Sequence, residues 1–196
     1  MTAQPRKLVL ASSSPYRREL LARLGLAFDS ASPECDETPL AGEGPAATAA
    51  RLALSKAASL KAKFPDALII GSDQVASSGG VRYDKPGTHD NAVRQLRALS
   101  GKTVEFHTAV ALLDAKSGEA HSRVVPCRVL FRALDDERIE RYLRREQPYD
   151  CAASAKAEGL GIALIARIET DDPTSVIGLP LIALSGLLER AGLPPG

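Results

Sequence analysis

The 196-residue chain has no tryptophan, and only 4% of its residues are aromatic. A nucleic-acid-binding module usually shows a basic stripe together with exposed aromatic side chains. Here the formal net charge is +1, and no sustained basic run is present. The composition therefore disfavours a nucleic-acid partner, and any anion has to be recognised by locally placed cations.

Cysteine and long apolar runs are also scarce. Three widely spaced cysteines, an odd number, indicate reduced thiols in a cytoplasmic protein rather than a disulfide framework. The apolar run in "MTAQPRKLVLASSS" is too short for a secretory signal, and no segment approaches the length of a membrane span. The three histidines lack partners at metal-ligand spacing, so no zinc site is expected. We expect a cytoplasmic protein without a membrane partner.

Strands and helices alternate in the first half of the chain, whereas long strands dominate the second. The predicted helices cover residues 15–24, 46–63, 89–99, 135–146 and 180–191, and the main predicted strands cover 7–11, 66–75, 102–114, 120–134 and 162–168. The two long strands, 102–114 and 120–134, are expected to form a hairpin. We predict one α/β domain over residues 1–196, with a mixed twisted sheet flanked by helices and two lobes around a central cleft.

The segment "LVLASSSPYRRELL" predicts an anion site at the start of a helix. Ser14 is a typical N-cap and Pro15 a typical first helical residue. The first turn usually favours acidic side chains, but this one carries Arg17. Serine hydroxyls such as Ser12, the helix dipole and an arginine together suit a phosphate. The alternative is a capped helix whose arginines point into water; a P-loop is excluded by spacing.

Carboxylates in two segments suggest a metal site. Asp73 follows an apolar strand, and we expect it at the strand end, where active-site groups gather in α/β sheets. Glu37 lies in the acidic stretch "CDETP". Together they are suited to hold Mg²⁺ or Mn²⁺ that bridges phosphate oxygens. The alternatives are an Asx-turn aspartate and a solvated loop. Asp73 is equally suited to act as a general base.

Two lysines add to this pattern. Lys56 falls with Leu52 and Leu60 at i, i+4 and i+8, so its ammonium lies in an otherwise apolar stripe. Such a lysine either extends to solvent or faces a cleft. Lys85 precedes Pro86 on a short loop. Cations in three segments and carboxylates in two others predict a metal–phosphate site.

The ordered motifs resemble the Maf family of nucleoside triphosphate pyrophosphatases. They run from "LASSSPYRRELL" through "RLALSKA", "IIGSDQV" and "DKP" to "CAASAKAEGLG" and "VIGLPLIAL". The resemblance implies metal-dependent hydrolysis between the α- and β-phosphates of a nucleotide. It places Ser12, Ser14, Arg17, Lys56 and Lys85 at the phosphates. It also makes Glu37 part of the acidic loop and Asp73 the general base.

Within this family, "GSDQ", "DETP" and the glutamate of "KAEG" resemble the branch that acts on 7-methyl-GTP. Three residues are expected to select the base. Tyr16 offers a π-face to the cationic ring. Glu158 can accept the N1–H and amino hydrogen bonds of guanine, and Gln74 can complete the selection. One departure is Ala155, which replaces an aromatic residue of the family pattern.

Two other readings remain open. The first is the same reaction on dTTP, UTP or another modified nucleotide. The second is a non-enzymatic nucleotide-binding regulator of cell division. The sequence also leaves a homodimer open.

Overall fold

The computed structural model describes residues 6–196, and within them it has five α-helices and seven β-strands. The helices are α1 (Pro15–Ala22), α2 (Pro45–Ser59), α3 (His89–Leu99), α4 (Asp136–Glu146) and α5 (Leu181–Arg190). The strands are β1 (Leu8–Ala11), β2 (Asp29–Ala31), β3 (Leu68–Ser78), β4 (Val81–Arg82), β5 (Thr103–Asp114), β6 (Ala120–Phe131) and β7 (Ile165–Glu169). None of these helices is both long enough and apolar enough to span a bilayer.

The strands form one mixed sheet in the order β2-β1-β3-β5-β6-β7, with β4 paired to β3. Strand β1 runs parallel to both β2 and β3, whereas β4 and β7 run antiparallel to their neighbours. The consecutive strands β5 and β6 lie side by side, as the predicted hairpin requires. The predicted fold class, a mixed α/β sheet with flanking helices, is confirmed.

Contacts between residues group the chain into two compact units. Unit 1 contains the residues up to Asp73, then Thr108–Val125 and Asp172–Gly196; unit 2 contains Gln74–His107 and Pro126–Asp171. In unit 1, alternate residues of β1 and β3 face opposite sides of the sheet. One side packs in a cluster that includes leucines of α1 and α5, and the other packs with Ala57 of α2. In unit 2, α3 packs against α4.

Several predicted boundaries are wrong. Helix α2 ends at Ser59 rather than at 63, because residues 60–64 form tight turns before Pro65. Helix α1 ends at Ala22, two residues early. The last strand begins at Ile165, because Leu160–Leu164 forms a 3-10 helix. Strand β3 continues to Ser78, beyond the predicted end at 75, and the short strand β2 was not predicted.

Candidate active site

The start of α1 is built by two serine hydroxyls. Ser14 is the N-cap, and its Oγ accepts a hydrogen bond from the backbone N–H of Arg17 at 3.4 Å. The Oγ of Ser12, a residue only 4% exposed, accepts the backbone N–H of Ser14 at 3.1 Å. Because both hydroxyls accept here, each retains its own O–H for donation to an anion. The predicted helix start is confirmed.

The side chain of Arg17 is held by the backbone of a distant turn. Its Nε–H donates to the carbonyl oxygen of Gly178 at 2.8 Å, and the Ser72 hydroxyl donates to the same oxygen at 2.9 Å. Gly178 has φ +122°, a conformation that favours glycine. Burial lowers the pKa of the Arg17 guanidinium, whereas the charges of Asp73 and Glu37 raise it. Arg17 is therefore half-buried and held by the turn at Gly178, and the alternative of an arginine that points into water is wrong for it.

Asp73 forms a buried ion pair with Lys56. The Nζ of Lys56 lies 2.6 Å from Oδ1 of Asp73, and the two side chains are only 8% and 9% exposed. Asp73 lies in the middle of β3, so its predicted place at the strand end is wrong. The Asx-turn alternative is wrong as well, because the carboxylate serves a lysine rather than a local turn. Of the two alternatives for Lys56, extension to solvent is wrong, because its ammonium faces inward to Asp73.

Gly71 explains how α2 brings Lys56 to this strand. A Cβ atom at Gly71 would lie 2.0 Å from the carbonyl oxygen of Ala53 and 2.8 Å from the amide nitrogen of Ala57. Only a residue without a side chain allows the backbones of α2 and β3 to approach so closely. Lys56 lies in α2 and Asp73 in β3, both next to this contact, and their side chains meet as a consequence.

The acidic loop contributes Glu37 to the same lysine. Its Oε1 lies 3.1 Å from Nζ of Lys56, although the Glu37 side chain is 58% exposed. Arg51, on α2, anchors this loop: Nη2 donates to Glu43 at 2.7 Å and to the carbonyl oxygen of Thr38 at 3.1 Å. The loop is therefore tied to the helix that carries Lys56, rather than simply solvated.

The structure thus brings four of the predicted residues into one cluster in unit 1: Arg17, Glu37, Lys56 and Asp73. Residues 6–196 contain no group of three or more His, Cys, Asp or Glu side chains arranged for a metal ion. Mg²⁺, however, is usually held by one or two carboxylates together with substrate phosphates and water. Two carboxylates that converge on one ammonium fit such a site.

The remaining predicted residues are more exposed or lie in unit 2. Tyr16 is half-buried near the start of α1. Gln74 is half-buried in β3, directly after Asp73, and Lys85 is exposed after β4. Glu158 is exposed overall, but partial burial of its carboxyl group raises its pKa; Lys156 lowers it, and Glu146 and Asp150 raise it further.

Helix α4 fixes the segment around Glu158. The Glu146 carboxylate accepts the backbone N–H of Leu160 at 2.6 Å and pairs with Lys156 at 2.9 Å. The Tyr142 hydroxyl accepts the backbone N–H of Lys156 at 3.1 Å. A Cβ at Gly159 would approach the Glu146 carboxylate to 2.6 Å, so a larger residue there would displace this carboxylate from its present position.

Residues 7–191 match the family model described as Maf, Maf-like protein. The chain belongs to the Maf family.

Its relatives are similar over almost their whole length. A protein of Cupriavidus pinatubonensis named 7-methyl-GTP pyrophosphatase is 55% identical over 99% of this chain and 98% of its own. Proteins with the same name from Cupriavidus metallidurans and Nitrosococcus oceani are each 56% identical, over 95% and 97% of this chain and 94% and 96% of theirs. The predicted family is confirmed.

Sequence reasoning missed the residues that position this Maf site. Arg51 lies in the quoted motif "RLALSKA" and Gly178 in "VIGLPLIAL", but neither was assigned a role. Their positions in the motifs were a usable signal. Tyr142 and Glu146 lie outside every motif that was quoted, and only their contacts reveal them.

Proposed function

We propose that this Maf protein is a nucleoside triphosphate pyrophosphatase that cleaves the bond between the α- and β-phosphates of 7-methyl-GTP. The products are 7-methyl-GMP and diphosphate. The names of relatives about 55% identical over nearly the whole chain support the substrate. The observation that carries the reaction class is the buried Lys56–Asp73 pair beside Glu37 and Arg17.

The cations of the site serve the phosphates. The Nε–H of Arg17 donates to the carbonyl oxygen of Gly178. Its two Nη groups are proposed to donate a bidentate pair of hydrogen bonds to phosphate oxygens. Ser12 and Ser14 donate their hydroxyl protons, and Lys56 adds a positive charge. Lys85 is the second lysine assigned to the phosphates. These groups stabilise the negative charge that grows on the phosphate oxygens in the transition state.

Asp73 is proposed to orient the attacking water and take its proton. A carboxylate held rigidly in a strand is suited to general base catalysis. Its hydrogen bond to Lys56 uses Oδ1, so Oδ2 is the oxygen proposed to face the water. The attack on the α-phosphate forms the new P–O bond, and diphosphate leaves with the electrons of the bond that breaks.

We further propose that Glu37 and Asp73 hold Mg²⁺ or Mn²⁺. When bound, such a cation neutralises phosphate charge and orients the leaving group. Asp73 then has two roles, as metal ligand and as general base. The sequence also predicts both roles for this residue.

Three residues are proposed to select the base. Tyr16 offers an aromatic face to the methylated, cationic guanine ring. Glu158 accepts two hydrogen bonds from the guanine edge, which uracil and thymine do not supply. Gln74 follows Asp73 in β3 and completes the selection.

We propose that the protein acts in the cytoplasm, which suits three cysteines that form no disulfide in the described part of the chain. A homodimer and the lack of a nucleic-acid partner stay predictions.

The proposed function is tested with 7-methyl-GTP, GTP, dTTP and UTP, each with Mg²⁺ or Mn²⁺. We expect the highest kcat/KM for 7-methyl-GTP, diphosphate as the first product, and no turnover in excess EDTA. Orthophosphate as first product or full activity in EDTA would contradict the reaction. A preference for dTTP or UTP would favour the other branch, and binding without turnover would favour a nucleotide-binding regulator.

A further inference from the structure

Lys56 is bound to the two carboxylates that the proposed function assigns to the divalent cation. Its Nζ lies 2.6 Å from the Asp73 carboxylate and 3.1 Å from that of Glu37. The lysine side chain is only 8% exposed, so water screens this ammonium weakly. An ammonium and a divalent cation therefore compete for the same two carboxylates.

The cluster is already balanced in charge before any ligand binds. Arg17 and Lys56 supply two positive charges, and Glu37 and Asp73 supply two negative ones. A divalent cation that arrives alone adds two positive charges beside a buried ammonium, which opposes its binding. A triphosphate that arrives with the cation gives Arg17 and Lys56 new anionic partners. The carboxylates are then available to the metal.

We propose that Lys56 is a placeholder cation, which holds Asp73 and Glu37 until a nucleotide arrives, so that the metal is taken up with the triphosphate rather than before it. This inference rests on the proposed function, because that function assigns the two carboxylates to the metal. It adds a role for the lysine in the empty enzyme, separate from its role at the phosphates.

The test measures Mn²⁺ binding to metal-free protein without nucleotide, through the electron paramagnetic resonance signal of free Mn²⁺. Wild type is compared with Lys56→Gln and Lys56→Met, which remove the charge. We expect both variants to bind Mn²⁺ on the order of tenfold more tightly than wild type. Lys56→Arg keeps the positive charge and is expected to bind as weakly as wild type.

A matched control removes another tight ion pair of unit 1. Arg6 pairs with Asp114 at 2.7 Å, away from the two carboxylates of the site. Arg6→Met is expected to bind Mn²⁺ as weakly as wild type. The control therefore separates the loss of this particular ammonium from the loss of any ion pair.

Thermal unfolding supplies a second readout. Lys56→Met leaves the buried Asp73 without its main partner, so its Tm should fall. Mn²⁺ should raise the Tm of this variant more than that of wild type, because at a given concentration a ligand that binds the folded state more tightly stabilises it more. Circular dichroism at low temperature checks that each variant is folded.

Equal Mn²⁺ affinity in wild type and in the two neutral variants would overturn the inference, as would a lack of binding by all of them. Hydrolysis of 7-methyl-GTP by wild type is measured on the same preparation. If wild type hydrolyses 7-methyl-GTP and the neutral variants bind Mn²⁺ no more tightly than wild type, only the placeholder role is overturned. If the neutral variants bind Mn²⁺ more tightly but wild type does not hydrolyse 7-methyl-GTP, only the proposed function is contradicted.

Discussion

At the residue scale, Asp73 has a structural role in the fold and a proposed role in catalysis. A buried carboxylate is costly unless a cation or hydrogen-bond donor accompanies it, and Lys56 is that partner. The same carboxylate is proposed to activate water. A substitution at this position therefore has to separate a loss of catalysis from a loss of folding.

Asp73→Asn is expected to lower kcat by roughly 10²-fold or more, because the amide cannot take the proton from water. The amide oxygen still accepts a hydrogen bond from Lys56, so the fold should persist. Steady-state kinetics with 7-methyl-GTP and thermal unfolding are measured together. Asp114→Asn, which breaks the tight pair with Arg6, is the control and should keep its turnover. Near-normal turnover in a folded Asp73→Asn protein would remove Asp73 from catalysis.

Glu158 gives a prediction on pH. Burial raises the pKa of its carboxyl group, so the neutral form takes over at a higher pH than for an ordinary glutamate. Because only the carboxylate accepts both guanine hydrogen bonds, the kcat/KM ratio of 7-methyl-GTP to UTP should fall as the pH is lowered through this raised pKa. The ratio cancels effects on Asp73, which act on both nucleotides.

Glu158→Gln is expected to reduce this ratio by about tenfold at neutral pH, the scale of one charged hydrogen bond, and to make it insensitive to pH. Glu137→Gln changes an exposed glutamate of α4 and serves as the control. A ratio that is unchanged in Glu158→Gln would show that this residue does not select the base.

At the scale of elements, the approach of α2 to β3 decides where the charges meet. The backbones are in contact at Gly71, and the residues around this contact, Ala53 and Ala57, are fully buried. The helix cannot move away without separating Lys56 from Asp73. Packing and the site are therefore coupled through one glycine.

Gly71→Ala is expected to lower the free energy of unfolding by about 3 kcal/mol, since the added methyl group meets backbone atoms that cannot turn aside. Activity should fall as well, because α2 carries Lys56. Urea unfolding and kcat/KM are the measurements. Gly186→Ala in α5, where a Cβ meets nothing within 4 Å, should be neutral or stabilising by up to about 1 kcal/mol. Equal stability of the two variants would contradict the close contact.

At the scale of the whole molecule, arginine–carboxylate pairs tie separate segments together, over 108 residues for Arg6–Asp114 and over 8 for Arg51–Glu43. Arg6 binds Asp114 through two hydrogen bonds of 2.7 Å, and Arg51 binds Glu43. The hydrogen bond from Arg51 lowers the pKa of Glu43 to about 2, and that from Arg6 holds the pKa of Asp114 well below its usual range. In both cases the folded protein keeps its carboxylate charged at a pH where the unfolded chain takes up a proton.

These lowered pKa values predict an acid-sensitive part of the stability. It is fully present above the ordinary carboxyl pKa of about 4 and is lost as the pH falls towards the lowered values. Urea midpoints should therefore decrease between about pH 5 and about pH 2.5. The double variant Glu43→Gln Asp114→Asn should start lower and change less over this range. Parallel pH curves for the variant and wild type would contradict this assignment.

The sequence by itself determined the local structure and the family. Ser14 caps α1 as predicted, and Thr88 caps α3 in the same way, because a cap is a hydrogen bond to an amide three residues away. The ordered motifs were enough to identify the Maf family, which the family model confirms over residues 7–191. Both kinds of information are contained in short stretches of neighbouring residues.

Only the tertiary structure decided how the charges of the site are paired. Arg17 bonds to Gly178, 161 residues away, and Lys56 reaches Asp73 because α2 lies directly on β3 at Gly71. Sequence spacing predicts neither the Arg17–Gly178 contact nor the Lys56–Asp73 contact, because each depends on how separate elements pack. The strand continues past Asp73 for the same reason: pairing with neighbouring strands, rather than local turn propensity, sets where β3 ends.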